Sequence, residues 1–360
     1  RYRVDGQLTV AQAGTVLLGD GSTETTLWFT SGALDYDAHL RFVGQPAATT
    51  GEELARDVAA EDASVWVAAG SNIEPGDEVW IGITITDAFA ADHGMEDYWA
   101  FSRGAWRPFF RRTVVAVEAK EDGTEEVVLD VSLPYALTLR DGARIETVEG
   151  YLQEVGLAGI SVTNAVDWDT AWSRDQVHAV SFDGVRNAWM RDVASVESSE
   201  HPGFHLQSSG VMVRNSRQVT LAGLDLGHSQ NRGEGGNGYL IEVRTSNGVL
   251  VRDSTAVAGR HNLIQNWDFG TSDLVFLRTH SADAEAFTST TDSRGALACS
   301  ETHHALAIAV LVDHSTVTDC WKLANRLSFS SGAGHTATES VFWNVQGTGE
   351  VASLQYGRGY

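Results

Sequence analysis

Cysteine, lysine and proline are scarce in this 360-residue sequence: two Cys, two Lys (Lys120 and Lys322) and five Pro. Two thiols, Cys299 and Cys320, cannot build a disulfide scaffold; they either pair once or stay as buried thiols. No window approaches the run of about 18 apolar residues that a membrane-spanning helix requires. Positive charge is also short. Against 48 acidic residues stand 25 basic ones, a formal −23, which repels phosphate backbones and disfavours a nucleic-acid partner. Nearly all of that basic charge is Arg, either from a GC-rich coding bias or because guanidinium forks are wanted for carboxylate or sulfate groups. With 42% hydrophobic residues the chain is too apolar for disorder. It starts at Arg1 with no signal-peptide run, so the expectation is a removed export signal or a trimmed chain.

What is present is a repeat. From about Tyr151 onward short strings recur: Ala188-Trp-Met-Arg-Asp, Val211-Met-Val-Arg-Asn-Ser, Val249-Leu-Val-Arg-Asp-Ser, Val275-Phe-Leu-Arg-Thr-His-Ser, Val310-Leu-Val-Asp-His-Ser and Val341-Phe-Trp-Asn-Val. Each alternates apolar and polar positions and then meets a polar corner, as a strand followed by a turn does. The second to sixth starts lie 38, 26, 35 and 31 residues apart, a solenoid spacing. A β-sandwich also repeats strands, but with tight hairpins and shorter intervals. Here strands come as two and a corner per turn. The expected fold is all-β, a right-handed parallel β-helix that stacks Val, Leu and Ile into one continuous core.

The opening Leu8-Thr-Val-Ala-Gln-Ala-Gly-Thr-Val-Leu-Leu-Gly-Asp-Gly-Ser resembles the N-terminal coil of the pectate-lyase-like superfamily of right-handed parallel β-helices. The resemblance covers about 1–43 and 151–360 and implies the fold; no stretch matches the signature of a pectate lyase, polygalacturonase or alginate epimerase. Between these parts the pattern changes. Glu52–Val67 is acidic and Ala-rich, which predicts a helix, and Pro75-Gly-Asp leads into alternating strands that end near Leu139. The expected division is N-terminal coils over 1–44, a small inserted β-barrel-like domain over 45–140, and the main solenoid over 141–360. The insert carries Asp87, His93, Trp99, Trp106, Arg107, Arg111 and Arg112 and is expected to wall a groove.

The chemistry concentrates in Gly259-Arg-His-Asn-Leu-Ile-Gln-Asn-Trp267, between a coil bearing Glu242 and Arg244 and another bearing Glu301, His303 and His304. Equivalent positions of stacked coils lie about 4.8 Å apart, so His205, Glu242, His261 and His304 are expected near one face. Two registers are open. Aligning the Val213 and Val243 corners sets His205 near Gly235, whereas aligning Phe204 on Tyr239 sets Gln207 beside Glu242. Asn262, Gln265 and Asn266 also fit a purely structural amide ladder.

A uronate lyase must neutralise a carboxylate, remove the C5 proton and protonate the leaving oxygen. Arg244, Arg260 or Arg326 would neutralise, and His261 or His304 would be the base. A hydrolase needs two opposed carboxylates; Glu242, Asp268, Glu301 and Asp313 are available, with no close pair evident. The catalytic candidates are therefore Glu242, Arg244, Arg260, His261 and His304. Substrate contacts fall to His205, Gln207, Asn262, Gln265, Trp267, His303, Arg326 and His335. Trp267, Trp321 and Trp343 suit sugar stacking. The Gly-rich segments 231–238 and 330–335 lack a strand–loop–helix phosphate context and fit loops lying close to a long ligand.

No cofactor is required. Zinc would draw on Glu301, His303, His304 and His335, and calcium on Asp283, Glu285 and Asp292. The expected activity is extracellular or cell-surface cleavage of an acidic polysaccharide by β-elimination. A glycoside hydrolase and a non-catalytic carbohydrate-binding or tail-spike-like solenoid are the alternatives. The partner is a polysaccharide, without nucleic acid or membrane, and the oligomeric state is open. The −23 charge opposes a polyanion at long range, which a locally positive groove and salt screening would offset. The strand-like Val351–Tyr356 near the end leads to the expectation of further coils or a cap beyond it.

Overall fold

A computed structural model of the chain describes residues 1–164, 166–288 and 291–357, with backbone alone for 291–297. Two long parallel sheets run along it. One orders the strands Ala38–Val43, His178–Asp183, Ser209–Arg214, Tyr239–Arg244, His261–Gln265, Ser300–Thr302 and Cys320–Leu323 side by side. The other aligns Gly156–Asn164, Val185–Ser195, Arg217–Gly227, Asn247–Arg252, Ser272–Leu277 and Ala307–Asp313. Each coil crosses from the first sheet to the second, so the architecture is a parallel β-helix.

The recurring Arg-Asn-Ser and Arg-Asp-Ser strings are the corners. Asn215, Thr245 and Asp253 take φ of 51°, 40° and 51°, the left-handed turn that Asn and Asp tolerate best. The serine after each donates its hydroxyl to the carbonyl two residues back: Ser216 to Arg214 at 2.6 Å, Ser246 to Arg244 at 2.6 Å, Ser254 to Arg252 at 2.7 Å. Each hydroxyl oxygen also accepts a backbone N–H of the preceding coil: Val185, Ser216 and Leu224 donate at 3.0, 3.0 and 3.1 Å. The corners thus satisfy backbone groups that a turn would otherwise bury unpaired.

Inward rows follow from this register. Leu40, Val180, Val211, Ile241 and Leu263 align along the first sheet, and Val219, Val249, Leu274 and Val310 along the second. All are buried. Cys299 and Cys320, on successive coils, form a disulfide.

Residues 47–149 form a six-stranded antiparallel sheet with its own apolar core. Its last strand, Arg144–Glu149, pairs with both Ala47–Glu53 and Glu78–Thr84, so the sheet continues past 140. The edge strands Ala47–Glu53 and Ser64–Ala68 lie next to an antiparallel bridge between Leu54 and Val67. The helix expected over Glu52–Val67 is absent. Leu54, Val58, Val65 and Val67 all enter the insert's core, and Val58 bridges Leu137; tertiary pairing overrides the Ala-rich helical preference. The sheet packs on the coils through Phe269, Leu306 and Ile308. Buried ion pairs add to this: Glu78 with Arg186 and Arg217, each 2.8 Å, and Arg112 with Asp273, 2.9 Å.

Removing one corner hydroxyl tests the ladder. Ser246→Ala leaves the Ser216 N–H unpaired inside the fold and takes from the Arg244 carbonyl one of its two donors, the Asn215 N–H remaining, which costs about 1–3 kcal/mol. Urea unfolding should show that loss, and a change within experimental error would mean the corner hydrogen bonds contribute nothing.

Candidate functional site

The parallel register decides which side chains meet. Val213 pairs Val243 and Arg214 pairs Arg244, the first of the two alignments considered. Met212, Glu242, Ile264, Glu301 and Lys322 then form one row, and its neighbours in sequence, Val243, Gln265 and Thr302, form the next. Since Val243 faces the core, the row of Glu242 and Glu301 faces outward. Tyr239 pairs His261 at the start of these two strands, and Tyr239 reaches the cleft, while His303 follows Glu301 by two residues. Surrounding loops cover them, so an outward face becomes the floor of a cleft of about 480 Å³.

Two buried carboxylates lie beneath that floor, outside the residues that line the cleft. Glu242 accepts from Arg244 Nε at 2.5 Å, from Asn266 Nδ2 at 2.6 Å and contacts His178 Nε2 at 2.9 Å. Burial pushes its carboxyl up, but Arg244 and His178 outweigh this and hold it well below the usual carboxylate range. Glu301 takes Arg326 Nη1 on both oxygens, at 2.7 and 2.6 Å, and the Nδ1 of His303 on one. Burial raises it; His261, His303 and Arg326 prevail and hold it at about 2. Both acids are thus kept ionised by their neighbours.

Facing the cleft are other groups. Tyr239, Arg260, Asn266, Trp267, His303, His304 and Arg326 line it, with Gln176, Glu234 and Ser330 around them. Burial pushes the Tyr239 phenol up and the His303 imidazole down, so near neutral pH one is a proton donor and the other an acceptor. Because Glu301 can only accept, His303 carries its proton on Nδ1 and turns the lone pair of Nε2 towards Ser330 Oγ, 3.3 Å away. Arg260 spends one donor on the Gly233 carbonyl at 2.5 Å. Trp267 is 46% exposed, stacked on Phe101 at 5.2 Å with His304 at 4.2 Å. The insert therefore supports one wall, through Phe101 and through Arg107 and Ser102, both 2.6 Å from Asp268.

Among the residues expected from sequence, Arg260, Trp267, His303, His304 and Arg326 line the cleft. Glu242, Arg244 and His261 lie outside its lining. His261 is buried, its Nδ1 on the Cys299 carbonyl and its Nε2 without a hydrogen-bond partner, and its ring sits 5.1 Å from Tyr239 and 5.4 Å from His303. Gln265 and Asn262 serve the fold: Gln265 Nε2 donates to the His304 carbonyl at 3.3 Å, and Asn262 Nδ2 to Ala282 O at 2.8 Å and Asp319 at 3.0 Å. His205 is elsewhere, its ring tilted against that of His228 at 4.5 Å and bonded to Ser195, because its segment bridges 228–229 rather than joining the Glu242 row. Gln207 is buried beside His39, and His335 contacts Asn325 at 3.3 Å; neither reaches the cleft. Trp321 is a core residue, and the exposed Trp343 is outside the cleft.

Sequence reasoning missed Tyr239, which stands three residues before Glu242, so simple alternation would turn it away from the face of that acid; it nevertheless lines the cleft. Gln176 and, behind Trp267, Phe101 come from loops and carry no periodic signal, whereas Glu234 and Ser330 belong to the Gly-rich segments 231–238 and 330–335 noted in the sequence, both of which border the cleft.

His261, Glu301 and His303 offer ligand atoms within 4.8 Å of one another, but the Arg326 guanidinium already holds both Glu301 oxygens, where a cation would have to sit. Asp283 and Glu285 border a separate hollow with His228 and Arg232; the side chain of Asp292 lies outside the described residues.

No protein-family model and no curated protein matches the sequence. In fold the chain is similar to the tailspike protein gp49 from Pseudomonas phage LKA1, at 16% identity and a TM-score of 0.55, over 96% of this chain and 48% of that one. Weaker likenesses are to the tailspike gp61 of Pseudomonas phage phi297, at 13% identity and 0.49 over 96% and 54%, and to the catalytic domain of a GH87 alpha-1,3-glucanase in complex with nigerose, at 10% and 0.25 over 84% and 68%. The chain spans about half the length of the tailspikes it matches. At such identities the likeness is one of fold. No described helix is long and apolar enough to cross a membrane.

The buried imidazoles set a pH dependence. Burial lowers His39 to about 4 and His261 to about 3, from 6.5. Below pH 6.5 the unfolded chain takes up protons that the folded one refuses. Stability should therefore fall as pH drops from about 6.5 to about 4, by about 1.4 kcal/mol per unit for each fully buried ring. Glu301, held below its ordinary 4.5, extends the loss to more acid pH. The urea midpoint should decline steadily from pH 7 to 4; a flat profile would mean that these rings are protonated in the fold.

Proposed function

We propose that the chain is an extracellular or cell-surface β-helix that binds and cleaves a uronate polysaccharide by β-elimination in the Tyr239–His303 cleft. One observation carries this reading. Both acids beneath the cleft floor are locked as ion pairs, whereas the groups facing the ligand are a neutral imidazole, a protonated phenol and an Arg with donors to spare. A hydrolase requires a carboxyl with a raised pKa opposite a second one; Glu242 and Glu301 are shifted the other way, Asp268 is paired with Arg107 and Asp313 with His314.

In the elimination, Arg260 pairs with the uronate carboxylate and makes the C5 proton more acidic. His303 Nε2 takes that proton, and Glu301 steadies the imidazolium through Nδ1. The electron pair forms the C4–C5 double bond as the C4–O bond breaks, and the Tyr239 hydroxyl protonates the departing oxygen. Exposed Trp267 and Phe329, the latter 73% exposed, offer apolar faces for sugar rings. They serve a purely binding solenoid equally well.

The unsaturated product absorbs at about 235 nm, and His303→Ala and Tyr239→Phe should each slow its appearance by about 100-fold or more. New reducing ends without that absorbance would replace elimination by hydrolysis. Saccharide binding with neither signal would leave the binding module.

A further inference from the structure

The cleft holds a constellation of which elimination uses only the imidazole and its carboxylate. Ser330 Oγ stands 3.3 Å from His303 Nε2, the opposite ring nitrogen is bonded to Glu301, and Glu301 is fixed by Arg326. A hydroxyl, a base and an acid that orients the base are the parts of an acyl-transfer site. We propose that the cleft also removes O-acyl groups from its saccharide, with Ser330 as nucleophile, His303 as base and Glu301 as orienting carboxylate. The saccharide as carrier of the ester rests on the function proposed above; the acyl-transfer chemistry does not.

Backbone geometry supports the assignment independently. Ser330 has φ 52°, ψ 49° and Ser331 φ 63°, ψ 32°, two successive non-glycine residues in the left-handed region, which side chains disfavour. Such a sharp turn puts Oγ on the cleft wall. It is braced from outside: Trp99 of the insert donates its backbone N–H to Gly332 O at 2.8 Å and its indole N–H to Ala333 O at 2.9 Å. From inside, Arg326 Nη2 donates to Ser330 Oγ at 3.0 Å. That guanidinium is also the positive charge nearest the oxyanion that would form there. A 3.3 Å hydroxyl–imidazole separation is the loose contact of an unliganded site.

The reaction balances without a cofactor. Ser330 Oγ attacks the acyl carbonyl while its proton passes to His303 Nε2. The tetrahedral intermediate collapses, the C–O bond to the sugar breaks, and His303 returns the proton to the sugar oxygen. Water, deprotonated by the same imidazole, then cleaves the acyl-serine to a free carboxylic acid and regenerates Ser330.

The test uses the whole chain with a fluorophosphonate probe, p-nitrophenyl acetate and O-acetylated homogalacturonan, a 4-linked uronate polymer on which both reactions can be read. Peptide mapping should place the phosphonyl adduct on Ser330 of the unaltered protein, a readout that needs no variant to fold. Acetate release should fall by about 1,000-fold or more in Ser330→Ala. No adduct on Ser330, or acetate release equal in the variant, would overturn the proposal. Absorbance at about 235 nm, followed in parallel, separates the two readings. A rise without labelling removes the acyl-transfer site and leaves elimination, whereas labelling without a rise removes elimination and leaves the acyl-transfer site.

Discussion

Register from coil to coil is the constraint on which this molecule depends. A parallel strand displaced by one residue exchanges its two faces, and here one face is a core of Val, Leu and Ile and the other a set of ionisable groups. The corner serines oppose such a slip, because each hydroxyl joins its own corner carbonyl to an N–H of the coil before. Apolar rows select the same alignment: Phe42 and Phe182 stack at 4.6 Å inside the solenoid. With that alignment, Glu242 and Glu301 fall in one outward row two coils apart. The chemistry of the cleft is in this sense a by-product of how the backbone turns its corners.

Burying two glutamates beneath loops is expensive unless each acquires partners. Arg244 and Arg326 provide them, and this explains the fate of the other side chains. A guanidinium on Glu301 leaves no place for a metal ion at the His261–Glu301–His303 group. It also leaves His303 with one nitrogen anchored and one available. Beneath the cleft the acidic chain therefore carries two negative charges that are already matched.

Much of the fold was legible because the corner strings repeat with their serines and alternate around a core. The insert's start near 45 was legible as a break in that repeat; its extension to Glu149 was not, since Arg144–Glu149 reads as any other alternating strand. In the site, the Gly259–Trp267 stretch and the Glu301–His304 stretch were visible as unusual polar strands. Which member of each reaches the cleft depended on a register the sequence left open: His303 lines it, and His261 is buried outside its lining. His205 looked equivalent to the others only by spacing. Phe101 and Ser330 reach the cleft from the insert and from an irregular turn, where no periodicity exists to betray them.

The point where the insert leaves and re-enters the solenoid has its own consequence. The chain exits at Gly44 and returns at Gly150, where Gln45 N–H bonds Gly150 O at 2.8 Å, and a side chain at Gly44 would collide with Gly184 O at 2.1 Å. Strands from before the exit, Val16–Leu18 and Thr26–Phe29, pair with Gly156–Asn164 after the return. Until the insert closes on itself those partners are separated by a long floppy loop, whose closure opposes docking entropically. The insert, built from its own antiparallel pairings, folds into the clasp that brings them together. With the insert folded, Gly44 and Gly150 are held together, and the closure left between the N-terminal strands and their partners is short.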